Sequence, residues 1–175
     1  MNVRILKVAT DELTGATIRN GQSIELPSIQ MGWRFNFGSR LKELSYSKAF
    51  VLVSQETPDI IEGCLIYQMK GRTLPYMAYL EIAPHNRMHP KKYDYIAGCL
   101  IAFACKQSII HGKEWHQGWL TFDVFEEDPR EQIRLMSHYS RKYKAQRFSE
   151  TTMLISPEDG ENLIKEYLER KGGKP

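Results

Sequence analysis

The stretch 75–111 holds the residues whose types and spacing bear most directly on chemistry. An apolar run, Pro75-Tyr76-Met77-Ala78-Tyr79-Leu80-Glu81-Ile82-Ala83, stops at Pro84 and is followed by the basic loop His85-Asn86-Arg87-Met88-His89-Pro90-Lys91-Lys92. Beyond the loop, Ile96, Leu100, Phe103 and Ala104 recur at helical spacing, Ala97 and Ile101 widen the stripe, and Asp94 stands where an N-cap belongs. A strand end, a loop and a helix start leave a cluster of unpaired backbone N–H groups carrying about half a positive charge, which suits a phosphate. Lys91 and Lys92 would add full charges beside it. The plainer alternative is a solvated loop ahead of a buried helix.

A second constellation is basic. Arg130, Arg134, Arg141, Lys142, Lys144 and Arg147 put six positive charges into a helical stretch whose one acid is Glu131. That pattern fits either a solvated helix face or a docking surface for an anionic partner such as RNA. Cys64, Cys99 and Cys105 are too few and too odd in number for a disulfide framework, and none forms a C-x-x-C pair. Cys99 and Cys105 read as small core residues. His111 and His116 lack a suitably spaced third ligand, so no metal is expected.

The elements that must position these residues follow from the rest of the chain. With 175 residues, 42% of them hydrophobic, and a net charge of +3, the chain is long and apolar enough for a single core and too weakly charged for disorder. The N-terminus Met1–Lys7 lacks an apolar segment of signal-peptide length, and no stretch approaches the ~20 apolar residues that span a bilayer. A cytoplasmic protein with reduced thiols and one domain over 1–175 is expected. Val3–Val8 alternates as a strand does. Gly15, Gly21, Pro27, Gly32 and Gly38 argue against long elements up to about residue 45, and Trp33, Phe35 and Phe37 fit either a strand face or a loop laid on the core. Residues 49–53, 60–67 and 75–83 read as an antiparallel meander. Then come the helix ending at Gly112, a strand at 119–125, a helix over roughly 130–144, a strand at 151–155, and a last helix capped by Ser156 with Pro157 in its first turn. The pattern predicts an α/β fold.

The order Leu80-Glu81-Ile82-Ala83-Pro84, Arg87, then Lys92-Tyr93-Asp94-Tyr95-Ile96-Ala97-Gly98-Cys99-Leu100-Ile101 resembles the acetyl-CoA-binding core of the GNAT (N-acetyltransferase) superfamily. There a strand ends in a hydrophobic-x-Pro step, and a Gln/Arg-x-x-Gly-x-Gly/Ala loop opens a helix around the CoA pyrophosphate. Lys92 stands at the Gln/Arg position, Ala97 at the final small residue and Leu100-Ile101 at the aliphatic pair. Tyr95 replaces the first glycine, where a side chain is expected to crowd the phosphates. Tyr139-Ser140-Arg141-Lys142-Tyr143 resembles the family's Tyr-x-x-x-Phe/Tyr segment, and together the matches cover about 49–155.

The resemblance implies a single-domain GNAT-like fold, a mixed, mostly antiparallel sheet flanked by helices. It also implies acetyl transfer from acetyl-CoA to a primary amine. Glu81 would serve as general base, with Asp123 and His85 as rivals, and Tyr139 would protonate the departing thiolate. Ile82 or Ala83 N–H would stabilise the oxyanion. The expected cofactor-binding set is Ile82, Ala83, Lys92, Tyr93, Asp94, Tyr95, Ile96 and Ala97. Proteins of this superfamily are often homodimers, and the N-terminal third is expected to shape the acceptor pocket. Two alternatives stand beside this reading. One is a non-catalytic binding module of the same fold. The other is a toxin-like acetyltransferase of aminoacyl-tRNA, which would meet RNA through the basic stretch 130–147.

Overall fold

The N-terminal alternation folds into a hairpin of β1 (Asn2–Lys7) and β2 (Glu12–Asn20), with Val3, Ile5, Ala16 and Ile18 turned inward. The computed structural model describes residues 1–170. β2 runs through Gly15 rather than breaking there. The end of the Gln55 side chain occupies the space where a Cβ would stand, so a side chain at position 15 would have to displace it. After a loop come α1 (Phe37–Glu43), then β3 (Ser47–Ser54), β4 (Ile61–Lys70) and β5 (Leu74–Ile82), the expected meander. Trp33, Phe35 and Phe37 belong to no strand. Their rings meet edge to face, at 5.9 and 6.1 Å, as a loop and helix start laid across the sheet.

Next, Tyr93–Asp94 forms a two-residue strand, β6, which pairs with Lys7 and Leu6 of β1. The segment expected to be loop is therefore pinned to the sheet edge, and Val8 N–H donates to Lys92 O at 3.1 Å. α2 (Ile96–His111) ends at Gly112 as expected, but its N-cap is Tyr95 in the left-handed region (φ 71°). Asp94 bonds the Tyr95 N–H through Oδ1 at 2.7 Å instead of capping the first turn.

β7 (Leu120–Asp123), α3 (Pro129–Tyr143), β8 (Gln146–Arg147), β9 (Thr152–Ile155) and α4 (Pro157–Leu163) complete the chain, α4 continuing as a π-helical turn over Ile164–Leu168. Asp128 caps α3 and Ser156 caps α4, each side chain accepting a first-turn N–H. The nine strands make one sheet in the order β6-β1-β2-β3-β4-β5-β7-β9-β8. All pairings are antiparallel except β5 with β7.

Both faces of the central strands are covered, so β3 and β4 read as nearly continuous apolar runs. One core holds Phe50, Leu52 and Leu65 with α2, α3 and the C-terminal helix; the other packs Val51, Cys64 and Ile66 under Trp33 and Phe37. α2 is buried almost all round rather than along a stripe, because sheet, α3 and α4 enclose it. That explains how Cys99 and Cys105, on different faces, are both fully buried. Burial pushes both thiols up to about 12. No helix among the described residues is long and apolar enough to cross a membrane.

Candidate active site

β5 and β7 pair in parallel through a single residue pair, Tyr76 and Thr121, and part beyond it. A cavity of about 280 Å³ is lined by the end of β5, by Ala97 and Ile101 of α2, by His138, Tyr139 and Tyr143 of α3, and by Arg34 and Phe35 of the N-terminal loop. Both proposed catalytic side chains, Glu81 and Tyr139, line it together with Ile82.

Glu81 is buried, 6% exposed. Its Oε1 accepts the Arg34 backbone N–H at 2.7 Å and is paired with the Arg87 guanidinium. Arg87 in turn donates through Nε to Ile82 O at 3.0 Å. Oε1 is thus fully engaged, whereas Oε2 is buried with no hydrogen-bond partner. A buried carboxylate oxygen left without a donor is costly, so this atom calls for a donor from a bound molecule.

The strand geometry separates the two expected oxyanion donors. Ala83 N–H donates to Glu62 O at 2.9 Å and is spent on the sheet. In an antiparallel ladder successive N–H groups point to opposite sides, so Ile82 N–H points away from β4, into the gap between β5 and β7. Ile82 is the donor available to the cavity. Ala83 instead borders a different cleft, with Trp33 and Pro84.

Tyr139 lies against Phe122 (4.9 Å) and Tyr143 (5.9 Å). Burial, with a smaller contribution from the Glu126 carboxylate, pushes its phenol up to about 12, so it stays protonated at neutral pH. His138 also lines the cavity. Burial lowers its pKa below the usual value, and the nearby charges of Lys142, Arg141 and Lys91 lower it further. These three cations put positive charge near His138 on the cavity wall, although none of them lines the cavity itself. Lys92 Nζ lies 5.0 Å from the Tyr93 ring.

The remaining residues of the expected set divide clearly. Tyr93 is 1% exposed, its N–H donating to Asn86 Oδ1 at 2.9 Å and its hydroxyl to Glu56 Oε2 at 3.3 Å, so it faces the core. Asp94 is held by the Tyr95 N–H and by Lys91 at 3.7 Å. Ile96 buries its side chain, but Ile96, Ala97 and Gly98 N–H belong to the first turn of a helix whose first internal bond runs from Cys99 N–H to Tyr95 O. Those donors, the small Ala97 side chain and the nearby cations fit a phosphate-bearing group.

Tyr95, expected to crowd the phosphates, does not line the cavity. Its ring meets Tyr167 at 6.2 Å and sits under the Arg170 guanidinium at 4.0 Å, away from the cavity. Both rival bases also face elsewhere. Asp123 accepts from Tyr76 and Thr152 at 2.7 Å each, and His85 Nε2 lies 2.6 Å from Glu62 Oε2.

Sequence reasoning assigned no role to Arg34, Phe35, Arg87 or His138. Arg34 also clamps Glu126 with two bonds at 3.1 and 2.9 Å, tying the N-terminal loop to the segment after β7. Its partners are 47 and 92 residues away, and no local pattern announces them.

No family model matches the chain, and no curated protein does. Solved structures do. The N-acetyltransferase PseH of Campylobacter jejuni, in complex with acetyl coenzyme A, aligns at 14% identity over 80% of this chain and 99% of its own (TM-score 0.50). A variant of the spermidine N-acetyltransferase SpeG of Vibrio cholerae aligns at 14% identity over 84% and 96% (TM-score 0.53). A GNAT family acetyltransferase of Elizabethkingia anophelis with acetyl-CoA bound aligns at 8% identity over 81% and 97% (TM-score 0.50). The fold is therefore that of the GNAT N-acetyltransferases, as the motifs implied.

Proposed function

We propose that this chain is an acetyl-CoA-dependent N-acetyltransferase acting on a primary amine. The observation that carries the reading is the cavity at the parting of β5 and β7, lined by Glu81, Ile82, Ala97 and Tyr139. Acetyl-CoA bound there supplies an activated acetyl thioester. The first-turn N–H groups of α2, with Lys91, Arg141 and Lys142, hold its phosphates. Ile82 N–H donates to the carbonyl oxygen as charge develops on it. Glu81 Oε2 takes the proton of the attacking amine, directly or through one water, while Arg87 and the Arg34 N–H keep the carboxylate in place. The N–C bond forms first, and as the tetrahedral species collapses and the C–S bond breaks, Tyr139 gives its proton to the departing sulfur.

Thermal unfolding with excess acetyl-CoA tests the first half of this reading. Ligand at about 100 times its Kd adds roughly 2.7 kcal/mol, a rise on the order of 5–10 °C for a domain of this size. Thiol release across a panel of amines tests the second. A thermal shift without turnover on any amine would favour a non-catalytic binding module, and no shift at millimolar acetyl-CoA would sink the reading.

A second acceptor class has one observation in its favour. Arg134, Arg141 and Arg147 line a cleft of about 620 Å³ beside α3 that no acid lines. An amine carried on RNA, as on aminoacyl-tRNA, would match that charge. Its binding would then weaken steeply with salt.

A further inference from the structure

A second cleft lies toward the C-terminal end of α2, lined there by Gln107 and His111, about 9–21 Å along the helix axis from the Ala97 and Ile101 that line the candidate active site. It measures about 650 Å³, within the usual range for small-molecule sites. Its charged and polar lining comes from separate elements: Lys48 of β3, Arg72 of the β4–β5 turn, Gln107 and His111 of α2, and Lys113 beyond it. No acid lines it, and among the described residues Lys48, Arg72 and Lys113 have no ion-pair partner. Three cations without an ion-pair partner thus line one concave surface, and an anion bound among them would be stabilised by their combined field.

The floor points the same way. Tyr67 is 4% exposed, yet its hydroxyl finds only the thioether of Met69, at 3.2 Å, as acceptor. A thioether is a weak acceptor, so a buried O–H donor at the floor is left under-used. Burial raises the phenol's pKa, so the proton stays on and the group remains a donor. Tyr46, Tyr67 and Met69 make the remaining wall apolar.

The site is preformed. Met69 N–H donates to Tyr46 O at 3.0 Å, Arg72 N–H to Met69 O at 3.1 Å, and Lys113 N–H to Thr73 O at 3.4 Å. Tyr46 and Arg72 are both held in the left-handed region, φ 55° and 69°, with the guanidinium 4.7 Å above the ring. The negative end of α2 opposes an anion here, but it carries only about half a charge against three full cations. Part of it is already satisfied: Ser108 O accepts the N–H groups of Gly112 and Gly118, and Ile109 O accepts Gln117 Nε2.

We propose that this cleft binds a small organic dianion, its anionic head among Lys48, Arg72 and Lys113 and its apolar body against Tyr46, Tyr67 and Met69. The site is separate from the acetyl-transfer cavity and does not depend on that assignment. Isothermal titration of the full chain with phenyl phosphate, and with inorganic phosphate as the head alone, tests it. Phenyl phosphate should bind one site at least tenfold more tightly than inorganic phosphate. Arg72→Ala combined with Lys113→Ala, both exposed, should weaken phenyl phosphate at least tenfold while leaving acetyl-CoA affinity within twofold. Tyr67→Phe, which keeps the ring, should weaken it severalfold. The proposal is overturned if phenyl phosphate fails to saturate the wild-type protein at 10 mM. It is equally overturned if the double variant binds the probe as well as wild type, or if inorganic phosphate binds as tightly as phenyl phosphate.

Discussion

Replacing Tyr95 by glycine separates what its backbone does from what its ring does. The residue caps α2 with φ 71°, a conformation that costs a non-glycine residue about 1–2 kcal/mol. Glycine would recover roughly 1 kcal/mol of that. Against it stands the loss of a half-buried ring, about 1–1.5 kcal/mol of apolar burial. The edge-to-face contact with Tyr167 adds about 0.5–1.5 kcal/mol, and the Arg170 guanidinium over the ring about 0.5–1 kcal/mol. The ring outweighs the strain, leaving Tyr95→Gly about 1–3 kcal/mol less stable, a Tm drop of roughly 2–12 °C. Tyr95→Ala keeps the strain and loses the ring, so it should fall about 1 kcal/mol below the glycine variant. Urea and thermal unfolding of the two variants read this order directly. Acetyl-CoA affinity of Tyr95→Gly should stay within about threefold of wild type, because the ring does not line the cavity. A glycine variant as stable as wild type, or one binding acetyl-CoA tenfold more tightly, would refute the account and restore the crowding argument.

Gly98→Ala would bring a Cβ to 2.2–2.6 Å from three atoms of the buried Tyr167 ring; overpacking of about 1–3 kcal/mol should exceed the ~1 kcal/mol gain in helix propensity, and in a Tyr167→Ala background the same change should become neutral or stabilising by urea titration. Asn86→Ala leaves the Tyr93 N–H without its acceptor and removes one of the two donors to Glu62 Oε2, at a cost of about 2–4 kcal/mol and a Tm drop of roughly 5–12 °C by calorimetry. Tyr139→Phe should lower kcat at least tenfold with acetyl-CoA affinity nearly unchanged, and kcat should show no alkaline loss near pH 10, since the buried phenol keeps its proton to about pH 12; unchanged turnover in the variant would remove Tyr139 from the mechanism. Glu81→Gln should abolish the proton acceptor while keeping the fold, seen as a kcat loss with little change in acetyl-CoA affinity.

Signals that act over a few residues were legible in the sequence. The cap and first-turn proline of α4, the Gly112 stop, the alternation in β1 and the meander of β3, β4 and β5 rest on propensity, spacing and turn chemistry, and they appear in the fold. The strand, loop and helix order of the cofactor motif rests on the same local rules, and so the position of Glu81 at the end of β5 and of Tyr139 on α3 could be read from it. Tertiary structure alone decided which way those side chains turn. Tyr95 departs from the motif in its side chain yet takes a left-handed backbone conformation that favours glycine; its ring is drawn away by Tyr167 and Arg170, over 70 residues distant. Sheet pairing took the Ala83 N–H and left that of Ile82, and β1 captured Tyr93 and Asp94 at its edge. Arg34 reached Glu81 and Glu126 because the aromatic loop folds across the sheet, a contact no sequence period encodes. Local patterns select elements, whereas the functional set of a site depends on which groups the packed elements leave unpaired.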